Sequence, residues 1–370
     1  MPVSLPSEHR ALVLDSRESG FQVKIVATPQ PGPGSAVVRI AAAGILPYHR
    51  ETYNGMRSMP FPTPLVGGFG AIGHVAAAGS DAAALKPGQL VYVDCVIRAR
   101  DDPECFFLSA IYEGPSDGSK KLMRDAWRNG TFAEYAMVPL ENCISLDEAK
   151  LCHDLEYSLQ DLVYMAFLLV PYGGLRDIGL EPGETIIVCP ATGFYGSLGV
   201  QVATAMGAKV IALGRNEGKL AQLKEDIRSR SPRANIETVR ITGDEDKDAT
   251  VLRSYGTVDA VLDLTPSEGS MSTHTRSAIK ALRRGGRVSL MGSIKNIAVP
   301  EILTNNITLK GKMMYEREAV VQFVKMLQSG LFPHGGYLAQ TKVFQLNDWK
   351  EGFDEAAKYS GIGKCVVFAP

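Results

Sequence analysis

The sequence predicts an α/β protein in two parts: a β-rich barrel or sandwich, then a doubly wound parallel sheet with helices on both faces. Three observations predict it. From Ala11 to about Leu146, short apolar runs are cut at close intervals by glycine and proline, as in small strands joined by turns. From about Leu155, helical periodicity alternates with short apolar runs, as in parallel strands joined by covering helices. Between Glu184 and Asn216 the chain reads strand, glycine-spaced turn, helix, strand. With 370 residues and 45% hydrophobic side chains, the chain can bury two cores.

In order, the strands expected in the first part are ALVLD, FQVKIVA, AVVRIAAAGI, GAIGHVAAAGS, QLVYVDCVI and FAEYAMVP. The turn Lys86-Pro87-Gly88 feeds the fifth. Between Arg98 and Asn129 the chain is polar and aperiodic, which predicts a long surface excursion. The second part opens with a buried helix at DLVYMAFLLVPYGGL. The glycine turn follows, then strand KVIAL, helix GKLAQLKEDI, strands ETVRI and DAVLDLT, helix HTRSAIKALR and a strand in GGRVSLMGS. After about Gly311 come a helix, EREAVVQFVKMLQSG, and short strands expected to return to the first part. The expected boundaries are 1–154, 155–314 and 315–370.

Gly193, Gly196 and Gly199 fall at G-x-x-G-x-x-G spacing in the turn. One glycine must let the chain turn sharply, one must let a pyrophosphate approach the main chain, and one must let the helix pack close to the strand. The helix that starts here offers unpaired N–H groups and a positive dipole end to phosphate. Thr192, Gly193, Phe194, Tyr195, Gly196 and Gly199 are therefore expected to hold a dinucleotide. About 20 residues beyond the first glycine, an NAD site usually carries a carboxylate for the ribose 2′-hydroxyl. Here the chain reads Gly214-Arg215-Asn216, with Lys219 about one helical turn later. A carboxylate would repel a 2′-phosphate, whereas an arginine fork can hold it, so NADP(H) is expected over NAD(H). Ligands of such sheets lie beyond the carboxyl ends of the strands. Leu264, Thr265, Met291, Gly292 and Ser293 are expected there, toward the nicotinamide.

The formal net charge is −1 and no basic block occurs, so nothing points to nucleic acid or an anionic membrane surface. Six scattered cysteines without a C-x-x-C pair read as free thiols in a reducing compartment. The first ten residues lack the apolar core of a signal peptide, and the apolar run Met165 to Val170 is too short to span a bilayer. A soluble cytoplasmic protein is the expectation.

Taken together, AAAGI (Ala41–Ile45), KPGQLV, GTFAEYAMVP (Gly130–Pro139), PATGFYGSLG and GGRVSLMG resemble the medium-chain dehydrogenase/reductase superfamily over nearly the full length. The resemblance implies an N-terminal GroES-like β domain, a Rossmann domain and a C-terminal return. Zinc alcohol dehydrogenases of that superfamily carry G-x-C early and G-H-E before a glycine-rich strand. Here those positions read Gly44-Ile45-Leu46 and Gly67-Gly68-Phe69. Leucine, glycine and phenylalanine offer no zinc ligand. A structural zinc lobe needs four close cysteines, and the corresponding stretch has Cys95 and Cys105 alone. His49 and His74 are lone histidines with no cysteine or carboxylate cluster, so no metal is expected.

Without a Lewis acid, another group must stabilise the oxygen that gains charge on hydride transfer. Zinc-free members of the superfamily are mostly quinone, enoyl or alkenal reductases. Their resemblance implies hydride delivery from NADPH to the β-carbon of an unsaturated carbonyl. Tyr48 occupies the position of the zinc enzymes' hydroxyl relay, and a phenol of pKa about 10 is a competent proton donor. Tyr53 and His49 are further candidates. A pocket for a small, apolar conjugated carbonyl is expected between the domains, with Phe69, Trp127, Tyr164 and Phe167 as aromatic lining. The alternatives are a zinc-independent carbonyl reductase or alcohol dehydrogenase, and an NADPH-binding protein of little turnover. A homodimer is expected from the habit of the superfamily.

Overall fold

The computed structural model describes residues 5–370. Contacts divide the chain into two compact units: residues up to Ala166 with His334–Pro370, and Phe167–Pro333.

The first unit is built on the strand Ser35–Gly44, whose residues are nearly all buried. It pairs antiparallel with Ala71–Ala78 on one edge and with Tyr135–Pro139 over its first half. Its last residues pair with Lys364–Phe368, Gly44 opposite Val367. That pairing returns the chain's end to the first unit. Leu90–Val93, Cys143–Ser145 and Gln340–Phe344 complete a seven-stranded sheet. Glu8–Leu14, Phe21–Ala27 and Leu65–Val66 form a separate three-stranded sheet. The excursion between Arg98 and Asn129 contains a ribbon, Val96–Arg98 with Phe106–Leu108, and the helix Asp117–Asp125. Ser116 and Ser119 cap that helix reciprocally, so a short serine pair starts a helix where periodicity shows none.

The second unit carries six parallel strands in the order Ile236–Arg240, Lys209–Gly214, Thr185–Cys189, Ala260–Asp263, Arg287–Leu290, Thr308–Gly311. This is the doubly wound order with its switch point between the third and fourth strands as named. Apolar residues of the central strands and of the helix His274–Ala281 share one core, among them Ile187, Ile211, Val261, Ile279 and Val288. The unit's boundaries differ from the expected ones. The helix Arg317–Gln328 buries Val320, Phe323 and Leu327 here, with Phe323 edge-on to Tyr172 at 5.3 Å, so the chain leaves this unit only at Pro333.

Candidate active site

The strand Thr185–Cys189 is buried along its length, and the helix Phe194–Ala205 begins four residues after Pro190. Gly193 is the N-cap and no side chain caps the helix, which leaves its first amides for an anion. The three glycines divide their tasks. A Cβ at Gly196 would lie 2.0 Å from the Pro190 carbonyl oxygen, and one at Gly199 would lie 2.9 Å from Leu262 Cδ2. Gly196 thus permits the turn and Gly199 the helix–sheet packing. A Cβ at Gly193 would meet nothing nearer than 4.0 Å, so its bareness keeps open the space in front of the helix. Gly214 lies against this turn, its Cβ position 3.3 Å from Thr192 Cγ2. Phe194 and Tyr195 are half-buried.

At the end of Lys209–Gly214 the chain exposes Arg215, Asn216 and Lys219. The Asn216 side chain accepts from the Lys219 amide at 2.9 Å and caps the helix Glu217–Arg230. Among the described residues the Arg215 guanidinium has no hydrogen-bond acceptor. Arg240, at the end of the neighbouring strand, stands in register with Gly214, and Ile241 N–H donates to Gly214 O at 2.8 Å. Strand pairing thus sets the backbone of Arg240 beside the residue that precedes Arg215.

Beyond Ala260–Asp263 lies a closed polar network. The Thr265 hydroxyl donates to Asp263 Oδ1 at 2.5 Å and accepts from His274 Nε2 at 2.7 Å. The Ser272 hydroxyl, 2.6 Å from Nδ1, supplies that nitrogen with a proton, and Thr275 donates to Asp263 Oδ1 at 2.8 Å. Burial raises the Asp263 carboxyl above its ordinary range. Burial, helped by the charge of Arg215, pushes His274 down to about 4. The Thr265 side chain is thereby committed to the network; its carbonyl accepts from Ser293 N–H at 2.7 Å and ties together the two strand-end loops. A Cβ at Gly292 would sit 2.2 Å from Thr265 N, so these loops touch main chain to main chain. Leu264, Met291 and Gly292 are half-buried and Ser293 is exposed. Cys189, Asp263 and His274 bring three ligand atoms within 4.8 Å of one another, but the hydroxyls of Thr265, Ser272 and Thr275 already serve the histidine and carboxylate. Neither His49 nor His74 belongs to that group. Sequence reasoning missed Asp263 and His274 because neither sits in a motif of its own.

In the first unit, Tyr48 is half-buried at the start of the short helix His49–Tyr53. The Arg57 guanidinium carbon lies 4.2 Å from its ring centroid, a cation–π contact the sequence did not reveal. His49 is fully buried among the rings of Tyr53, Phe69, Phe132 and Phe353. Its Nδ1 accepts from Leu46 N–H at 3.2 Å, so the proton resides on Nε2, which has no partner. Burial pushes the imidazole down to about 3, and it remains neutral. Tyr53 is also interior: it accepts from Gly68 N–H at 2.9 Å, and burial raises its phenol far above the ordinary value. His49 and Tyr53 are thus packing residues rather than proton donors.

The expected aromatic lining is corrected in the same way. Phe69 packs edge-on to His49, the Tyr164 hydroxyl accepts from Gly363 N–H at 2.8 Å, and Phe167 packs on Phe194. All three are interior side chains, because large rings are worth most to stability when fully covered. Trp127 is different: it lines a cleft of about 500 Å³ in the first unit, with His9, Tyr135, Val13 and Val66.

The positions equivalent to zinc ligands do not fit a metal. Leu46 is buried. Gly68 has a φ of +98°, and a Cβ there would lie 2.7 Å from Phe132. Phe69 offers a ring against His49 and no donor atom.

A doubly wound sheet whose glycine turn opens on a helix with no side-chain cap has the form of a dinucleotide-binding unit. The family Alcohol dehydrogenase GroES-like domain matches residues 32–148 and the family Zinc-binding dehydrogenase matches 196–329. The chain belongs to the medium-chain dehydrogenase/reductase superfamily. It is 26% identical to Alcohol dehydrogenase 1 of Caenorhabditis elegans, covering 90% of each chain. It is 29% identical to the 2-methylene-furan-3-one reductase of Solanum lycopersicum, over 60% of this chain and 51% of that one. The fold is shared with a cobalt- and zinc-bound alcohol dehydrogenase from Pyrobaculum aerophilum, with 22% identity, a TM-score of 0.71, and coverage of 98% and 100%. Among the described residues no helix is long and apolar enough to cross a membrane.

Proposed function

We propose that this oxidoreductase is a zinc-independent, NADPH-dependent reductase of activated C=C bonds or quinones. The observation that carries the reading is the substitution of Leu46, Gly68 and Phe69 at the positions where zinc relatives hold their ligands. Arg215, exposed and without a protein acceptor among the described residues, supports the choice of phosphorylated coenzyme. The similarity to a reductase whose named substrate is a methylene-furanone, a C=C bond conjugated to a carbonyl, supports the bond reduced.

When bound, the coenzyme would supply a hydride to the β-carbon of the substrate. The first amides of Phe194–Ala205 would hold its diphosphate, and Gly193 leaves that approach clear. Arg215 and Lys219 hold the 2′-phosphate. Hydride addition at the β-carbon shifts the C=C pair into the bond between the α-carbon and the carbonyl carbon and the carbonyl π pair onto oxygen, giving an enolate. Tyr48 gives its phenolic proton to the α-carbon of that enolate, the oxygen pair returns to the carbonyl, and the product is the saturated ketone. Arg57, stacked on the ring, stabilises the charge Tyr48 then carries until solvent reprotonates it.

The test is product analysis with NADPH and a cyclic enone. Saturated ketone is expected. Allylic alcohol would instead establish the second reading, a zinc-independent carbonyl reductase, which the similarity to an alcohol dehydrogenase favours. Coenzyme binding without turnover on enones, quinones and aldehydes would exclude both.

A further inference from the structure

We propose that Arg240 is a further ligand for the coenzyme's 2′-phosphate, beside Arg215 and Lys219, and that Glu217 occupies it in the free enzyme as a built-in competitor. The inference rests on the NADPH reading and goes further, naming a residue and a mode of control at the same subsite. Three placements carry it. Arg240 closes its strand in register with Gly214, so strand spacing alone puts its backbone about 5 Å from the residue before Arg215. Its Nη1 lies 3.4 Å from Glu217 Oε1, and no other acceptor among the described residues takes its guanidinium. Glu217 sits in the first turn of its helix, two residues past Arg215.

The pair is solvent-open, with the arginine side chain 59% and the glutamate 71% exposed. Such pairs contribute little to folding and exchange partners readily. A phosphate dianion carries twice the charge of a carboxylate and three acceptor oxygens. It can therefore take over the guanidinium from the carboxylate. Without Arg240, the Glu217 carboxylate would stand beside Arg215 uncompensated and would repel the 2′-phosphate. NADH, which has a hydroxyl at that position, gains nothing from displacing Glu217. The pair is thus a charge relay that rewards the phosphorylated coenzyme alone.

Dissociation constants for NADPH and NADH, measured by fluorescence on the full chain, test this with Arg240→Ala, Glu217→Gln and Arg215→Ala. Arg240→Ala is expected to weaken NADPH about five- to tenfold and NADH less than about twofold, from the loss of one charge at short range. Glu217→Gln is expected to tighten NADPH about two- to fivefold, with a shallower salt dependence, because the competing anion is gone. Equal weakening of both coenzymes by Arg240→Ala, or unchanged NADPH binding in Glu217→Gln, overturns the proposal. If the wild type discriminates and Arg215→Ala abolishes that preference while Arg240→Ala does not, this inference fails and the NADPH reading stands. If the wild type binds NADH as tightly as NADPH, the reading fails and the inference with it.

Discussion

Single side chains carry two expectations that pull in different directions. Tyr48 and His49 are neighbours in sequence, yet one is half-exposed and cation-stacked and the other is sealed among aromatic rings. Tyr48→Phe is expected to slow the single-turnover hydride step about 100-fold while leaving the NADPH dissociation constant unchanged. An unaltered rate would remove Tyr48 from the chemistry. Arg57→Leu should slow the same step less, about tenfold, since it withdraws only charge stabilisation. His49 shows itself in stability. Its folded value of about 3 lies below the 6.5 of an unfolded chain, so the unfolded state binds the extra proton in that interval. His49 therefore costs nothing above pH 6.5 and destabilises the fold progressively as pH drops below it, by about 1.4 kcal/mol per unit. His274, at about 4, acts in the same direction. Urea midpoints at pH 7 and pH 5 should differ less in His49→Gln than in the wild type, and an equal difference would contradict the sealed, neutral imidazole.

The glycine turn separates ligand binding from folding within one element. Gly196→Ala drives a methyl toward the Pro190 carbonyl, a contact that no flexible side chain can relieve. Overpacking of this kind costs about 1–3 kcal/mol, and the melting temperature should drop by several degrees. Gly193→Ala has room, so its melting temperature should stay within about a degree while NADPH affinity falls about tenfold. If Gly193→Ala instead destabilised the apoprotein and spared the affinity, the assignment of tasks among the three glycines would be reversed. The short helix His49–Tyr53 makes a related point. Five residues cannot hold a helix in water, and this one persists by burying His49, Thr52 and Tyr53.

For the whole molecule, two predictions follow from its division into two cores. NADPH at about a hundred times its dissociation constant should stabilise the dinucleotide unit by about 2.7 kcal/mol, which is worth roughly 5–10 °C in a unit of this size. On NADPH binding, amide exchange should slow in Phe167–Pro333. Exhaustive chelation should leave turnover intact, and a loss restored by zinc would end the hydrogen-bond mechanism. Both measurements use the full chain, since the first unit needs strands from each end of it.

Local pattern was enough to reveal the parallel sheet, the glycine turn and the exposed arginine after the second strand of that turn. Those signals need only residue type and spacing along a few dozen positions, because strands and phosphate turns are specified locally. The interior was harder to read. Phe69, Tyr164, Phe167, His49 and Tyr53 look like site residues as letters, and each proved to be packing, because burial depends on neighbours distant in the chain. Arg240 and Arg57 escaped notice for the converse reason. Strand register places one and loop closure the other, and long-range pairing of that kind leaves no mark on a linear pattern.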